Sequence, residues 1–208
     1  NYAVNPIGSG RYMLKQWDKG QQVILEANPD YYGEAPKMQK VTILFMEEDA
    51  ALAAAKSGEA DIVYTSATYS NLKVDGYQLV AYDSVDSRGI SFPCIPSGST
   101  KADGDNTYEA GNDVTCDINI RKAMSYAVDR DSMAENVLNG YGTPAFSVCD
   151  GMPWASDKIA VKTDVKKAKQ ILADGGWKDT DNDGILEKDG LKAAFNLYYS
   201  AGDSVRQA

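Results

Sequence analysis

Histidine is absent from the 208 residues, and cysteine occurs only three times. Without an imidazole, neither a Ser-His nor a Cys-His nucleophile pair can be assembled, and no G-x-S-x-G elbow is present to suggest one. Cys94, Cys116 and Cys149 show no C-x-x-C spacing, so zinc sites are excluded as well. No stretch approaches the roughly eighteen uninterrupted apolar residues of a membrane-spanning helix. The opening NYAVNPIGSG has neither the basic nor the apolar region of a signal peptide. Basic residues number 21 against 30 acidic ones, for a formal charge of −9, and they never form a run that would track a phosphate backbone. Nucleic acid is therefore not an expected partner.

What remains is ordinary material for a globular protein: 43% hydrophobic and 25% charged residues, enough for a real core. Between Asp117 and Ala145 the patterning is most regular. Asp117 is placed to cap a helix in which Ile120, Ala123, Met124, Ala127 and Val128 form one apolar stripe. Asp129 opens a second, shorter helix with Met133, Ala134, Val137 and Leu138 inward, and Gly140 ends it. Upstream, residues 11–17 and 22–27 read as a hairpin around Asp18-Lys19-Gly20-Gln21. Lys40–Met46 reads as a strand covered on both faces. Asp49 is placed to cap a short helix through Lys56, and Gly58 ends it. Further strands are expected at 60–64, 77–82, 88–93 and 193–199, and a long polar loop at 95–115. Asp164 caps another helix, facing inward through Val165, Ala168, Ile171 and Leu172, and Asp203 caps a last one. This alternation of strands and helices predicts an α/β fold.

Few residues point to chemistry. Gly8-Ser9-Gly10 lacks the G-K-[ST] of a phosphate loop and reads as a glycine turn. Asp179, Asp181 and Asp183 with Gly184 copy positions 1, 3, 5 and 6 of a calcium loop, but position 12 is Gly190 and no regular helix precedes them. A solvated turn accounts for the same residues, so no metal or other cofactor is assigned. The 13 tyrosines and three tryptophans exceed what a core of this size requires, and Tyr offers flat apolar contact with a polar tip. Trp154 in an irregular stretch and Tyr199 at a strand end are the aromatic candidates for a ligand cleft. Two of the three cysteines are expected to pair, with Cys94 as one partner, leaving one free thiol.

Several ordered segments carry a family resemblance. Residues 117–130, DINIRKAMSYAVDR, are followed by 136–145, NVLNGYGTPA; ahead of them lie Pro6 to Tyr12 (PIGSGRY), Ala27 to Gly33 (ANPDYYG) and Ser57 to Ile62 (SGEADI). Ala168 to Trp177 with the turn at Asp179–Gly184 comes last. In this order the sequence resembles the family 5 solute-binding proteins of bacterial peptide and nickel importers, and the matches run nearly end to end. The resemblance implies part of a periplasmic-binding-protein-like fold of type II, with 1–90 in a first lobe, 91–116 a crossing strand and polar loop, and 117–208 the start of a second lobe. It implies an internal fragment of a longer, exported, lipid-anchored protein. It implies binding without catalysis, by a monomer that hands a peptide ligand to the membrane permease of an ABC transporter. It also places a ligand-contacting basic residue after 193–199, where Arg206 fits. The loop at 95–115 is longer than is usual in the family. A reading from another class is a surface or sensor module stabilised by calcium at the Asp-rich turn.

Overall fold

The structure, a computed structural model, describes residues 2–208. These divide into two compact units, residues 2–66 with Val74–Gly76, and Ala67–Lys73 with Tyr77–Ala208.

In the first unit, β1 (Tyr12–Asp18), β2 (Gln22–Ala27) and β3 (Lys40–Leu44) form an antiparallel sheet in that order. The β1–β2 turn closes as expected: the Gln21 amide donates to Asp18 O at 3.0 Å, and Gly20 takes a φ of 75°. The register slips between Leu14 and Gln16, a bulge that bends β1. Asn28 joins two of the segments that carried the resemblance. Its buried side chain donates to Gly10 O at 2.9 Å, and its Oδ1 accepts from the Asp30 amide at 3.0 Å. Helix α1 (Glu48–Ser57) buries Ala51, Leu52, Ala54 and Ala55 and ends at Gly58 with φ 76°. It starts one residue before the expected cap, so Asp49 lies within its first turn and binds only the next amide.

The second unit holds a hairpin, β4 (Ser99–Asp103) with β5 (Asn106–Ala110), then α2 (Ile118–Ala127), α3 (Arg130–Asn136) and α4 (Val165–Asp174). A two-residue ladder, β6 (Glu187–Lys188) with β7 (Leu191–Lys192), and the short α5 (Ser204–Gln207) complete it. Each aspartate cap expected in this unit is in place: Asp117 accepts from the Asn119 amide, Asp129 from Ser132, Asp164 from Lys167 and Asp203 from Arg206. Helices α2 and α4 pack on each other. The core is Val114, Ile120 and Trp177, with Met124, Leu172, Leu186, Leu191, Ala193 and Phe195 packed around them. Arg130 ties α3 to the G-Y-G-T-P-A segment. Its Nε donates to Ala145 O and its Nη1 to Ser125 O, both at 3.0 Å, while the guanidinium lies over the Phe146 ring.

Several expectations are corrected. Residues 60–64, 77–82, 88–93 and 193–199 form no strand, because among the described residues no second backbone runs alongside to complete a ladder. Ile62, Tyr64 and Tyr82 are accordingly exposed. β3 is a sheet edge rather than a strand covered on both faces, with Ile43 and Leu44 exposed. The polar loop contains the β4–β5 hairpin, turned through Gly104 at φ 60°. Met133 and Val165 point outward from their short helices. The expected disulfide is not formed. All three thiols are free, and those of Cys94 and Cys116 turn to nearby carbonyls, at 3.3 Å from Phe92 O and Asp113 O.

Candidate functional site

All of the residues proposed from sequence for ligand or metal contact lie in the second unit, which has three places of interest, the second of them without a sequence candidate. The first is set by Phe195. Its ring packs on the core and meets Phe92 edge-on at 6.4 Å, which fixes the otherwise unpaired segment leading to Tyr198 and Tyr199. Tyr199 is half exposed and Tyr198 more so. Farther along, Asp203 stands between two arginines. Arg206 pairs with its Oδ2, and Arg88 Nη1 lies 3.5 Å from its Oδ1. The Arg206 amide, and then the charges of Arg206 and Arg88, hold the Asp203 carboxyl below its ordinary range against the opposing effect of burial. Both guanidiniums keep about half of their side-chain surface in solvent, at 48% for Arg206 and 41% for Arg88. Each therefore retains donors for an incoming carboxylate.

Arg88 was not among the sequence candidates. The signal was weak: an arginine beside Gly89 in a stretch that reads as a strand, 115 positions from its carboxylate partner. Trp154 is exposed and shares no hydrogen bond or ring contact with Arg206 or Tyr199 among the described residues.

The second place is a depression of about 360 Å³ lined by Asp113, Cys116, Asp117, Trp177, Lys188 and Leu191. Asp117 dominates it. Its Oδ2 accepts from Trp177 Nε1 at 3.0 Å and from Lys188 Nζ at 2.8 Å, while its Oδ1 accepts from the Asn119 amide at 2.8 Å. Burial pushes this carboxyl up, but the donors outweigh burial and hold it at about 2. A carboxylate so fully engaged is a structural tie between α2 and the β6 region and has no capacity left for a ligand.

The third place is the Asp-rich turn. Asp179 Oδ2 accepts from the Gly184 amide, Asp181 Oδ1 from Asp183 and Asp183 Oδ1 from Ile185. Asp183 is also paired with Lys192, whose Nζ lies 2.5 Å from its Oδ2 and 3.5 Å from Asp181 Oδ2. Asp179 and Asp181 instead gather with Glu187, one oxygen from each lying within 4.8 Å of the others. Sequence spacing missed Glu187 because it stands at the ninth position of the loop rather than the twelfth.

Comparison with known proteins covers the chain from end to end. The bacterial extracellular solute-binding proteins, family 5, middle region, match residues 1–208. The oligopeptide-binding protein AppA of Bacillus subtilis is 34% identical over 97% of this chain, and protein XP55 of Streptomyces lividans is 32% identical over 100% of it. In each case the chain spans 36% of the relative's length. Among solved structures, NikZ of Campylobacter jejuni in complex with Ni(L-His) superposes with a TM-score of 0.75 at 28% identity, over 92% of this chain and 36% of that one. The AppA structure with a nonapeptide gives 0.59 at 32% identity, over 90% and 35%.

Proposed function

Since the chain belongs to the bacterial extracellular solute-binding proteins of family 5, we propose that it is part of the substrate-binding component of an ABC importer that captures peptides outside the cell membrane. The fold is a part of the periplasmic-binding-protein-like type II fold, as the solved relatives have it. The family consists of transport proteins and not of enzymes. In the full-length protein, residues 1–90 belong to a first lobe, residues 91–116 cross between lobes, and 117–208 begin a second. Ligand closes the lobes, and the membrane permease reads the closed form. The protein acts as a monomer at the cell surface or in the periplasm, held by a lipid anchor.

The observation that carries the peptide reading is the 34% identity, over nearly the whole chain, to an oligopeptide-binding protein. The exposed guanidinium of Arg206 supports it, because a peptide's terminal carboxylate suits a fork of parallel N–H donors. Tyr199 and Trp154 supply flat apolar contact to the cargo.

Arg206→Ala in the full-length protein should weaken a peptide with a free C-terminus by about 2–5 kcal/mol, the range for truncating one member of a buried charge pair. The same peptide amidated at its C-terminus should lose far less, and titration calorimetry measures both. Equal losses for the two peptides would remove Arg206 from the site. The resemblance to the NikZ complex favours a second cargo, a nickel chelate. Native mass spectrometry of the protein with its co-purified ligand separates a peptide from a metal complex.

A further inference from the structure

We propose that Asp179, Asp181 and Glu187 form a binding site for a hard divalent cation of the calcium type, independent of the transported cargo. The fit is first one of size. A calcium ion holds oxygen ligands at about 2.3–2.6 Å, so oxygens on opposite sides of it lie up to about 5 Å apart. The three carboxylate oxygens here lie within 4.8 Å of one another, close enough to share one ion without rebuilding the loop.

The second observation is Glu187 itself. The residue as a whole is half-buried, but its carboxylate is buried, and its Oε1 meets no hydrogen-bond donor among the described residues. An unmet buried carboxylate oxygen is costly, and folded proteins rarely retain one without a partner. Nothing about Glu187 is loose. Its other oxygen, Oε2, accepts from the Thr180 amide at 2.9 Å and the Thr180 hydroxyl at 2.7 Å. Its backbone is bridged to Lys178 in both directions, at 2.9 and 2.7 Å. The carboxylate that gathers with the two aspartates is thus held with one oxygen satisfied and one bare. A cation at that point supplies the missing partner and relieves the repulsion between the three groups.

Lys192 accounts for the fourth acid. Its ammonium sits on Asp183 and reaches Asp181 less closely, so Asp183 is neutralised from within the chain while Asp181 remains available. The cation ligands are therefore positions 1, 3 and 9 of the loop, with position 5 given over to the lysine. Three protein carboxylates in a solvent-facing turn place the affinity in the range of extracellular calcium modules, a Kd of about 10⁻⁴ to 10⁻³ M.

The test is titration of the full-length protein with Ca²⁺ by calorimetry, alongside terbium luminescence sensitised by Trp177, two positions before Asp179. We expect saturable binding with a Kd of about 10⁻⁴ to 10⁻³ M, a melting temperature raised by Ca²⁺ and restored by EGTA, and a weaker response to Mg²⁺. Glu187→Gln and, as a surface change that spares the fold, Asp181→Asn should each weaken binding about tenfold or more, since ligand charge sets affinity in such loops. Asp183→Asn should weaken it less than either. Absence of saturable binding, equal responses to Ca²⁺ and Mg²⁺, or an Asp183→Asn loss as large as that of Asp181→Asn would overturn the assignment. Peptide binding measured in EGTA reports separately on the transport reading.

Discussion

Asp117 does the work of three different contacts with one side chain. It caps α2, accepts the indole N–H of the core residue Trp177, and pairs with Lys188. Asp117→Ala should cost about 1 kcal/mol for the lost cap, and about 1–3 kcal/mol more for leaving a buried indole donor unpaired. Asp117→Asn keeps the cap and loses mainly the ion pair, so its urea-unfolding midpoint should fall between those of the parent and the alanine variant. The same carboxyl sets an acid dependence. Its folded value of about 2 lies below its ordinary value of 3.8, so the stability it contributes is fully present above about pH 4 and is lost as pH falls toward 2. After allowance for solvent screening at the partly exposed Lys188, that contribution is about 1–2 kcal/mol. Urea melts between pH 5 and 2 should show this loss in the parent and a shallower one in Asp117→Asn. Sequence patterning made the capping role plain, because capping is a matter of neighbours along the chain. The bonds to Trp177 and Lys188, 60 and 71 residues away, had no local signal.

Among the elements, local signals succeeded where the structure is local. The β1–β2 turn, the four aspartate caps of α2 to α5 and the glycine stop after α1 all follow from residues within a few positions of each other, whereas α3 ends at Asn136, ahead of the expected stop at Gly140. Strand expectations failed at 60–64, 77–82, 88–93 and 193–199 for the opposite reason: a strand is completed by a partner from elsewhere in the chain, and apolar composition alone does not provide it. The β4–β5 hairpin was concealed by its polarity. Its Gly104-Asp105 turn is a hairpin signal, but the flanking strands lack the apolar alternation that normally draws attention to one. The base of this hairpin depends on Gly111, at φ 101°, where an added Cβ would meet Pro96 O at 2.0 Å. Gly111→Ala should therefore lower stability by well over about 1 kcal/mol, because the obstruction is backbone and the φ is unfavourable to any L side chain. Gly104→Ala has open space around its Cβ and should cost only the left-handed backbone penalty, about 1–2 kcal/mol. Thermal melts of the two variants decide whether the close approach is the larger effect.

At the scale of the whole molecule, the family and its fold were legible because a series of weak motifs occurred in one order, and the structure shows what several of them are for. Asn28 joins the second motif to Gly10 in the first, and Arg130 clasps the segment that follows α3. The site was less legible. Arg88 owes its place to a partner 115 positions away, which no spacing rule anticipates, and Glu187, though within the same short loop as Thr180, stands off the spacing of a calcium loop. One feature of the division into units bears on how the gene can be taken apart. The polypeptide passes from the first unit to the second after Ser66, back at Val74 and over again after Gly76. A single cut therefore cannot subclone the units cleanly. Ending the upstream piece at Gly76 strands Ala67, Thr68 and Asn71, whose carbonyls and amide bind the side chain of Asn139 in the downstream unit. Ending it at Ser66 instead surrenders only Val74–Gly76 to the wrong piece. Expressed separately, residues 67–208 should accumulate in soluble form and resist protease longer than residues 77–208, which begin without the turn that Asn139 is shaped to hold.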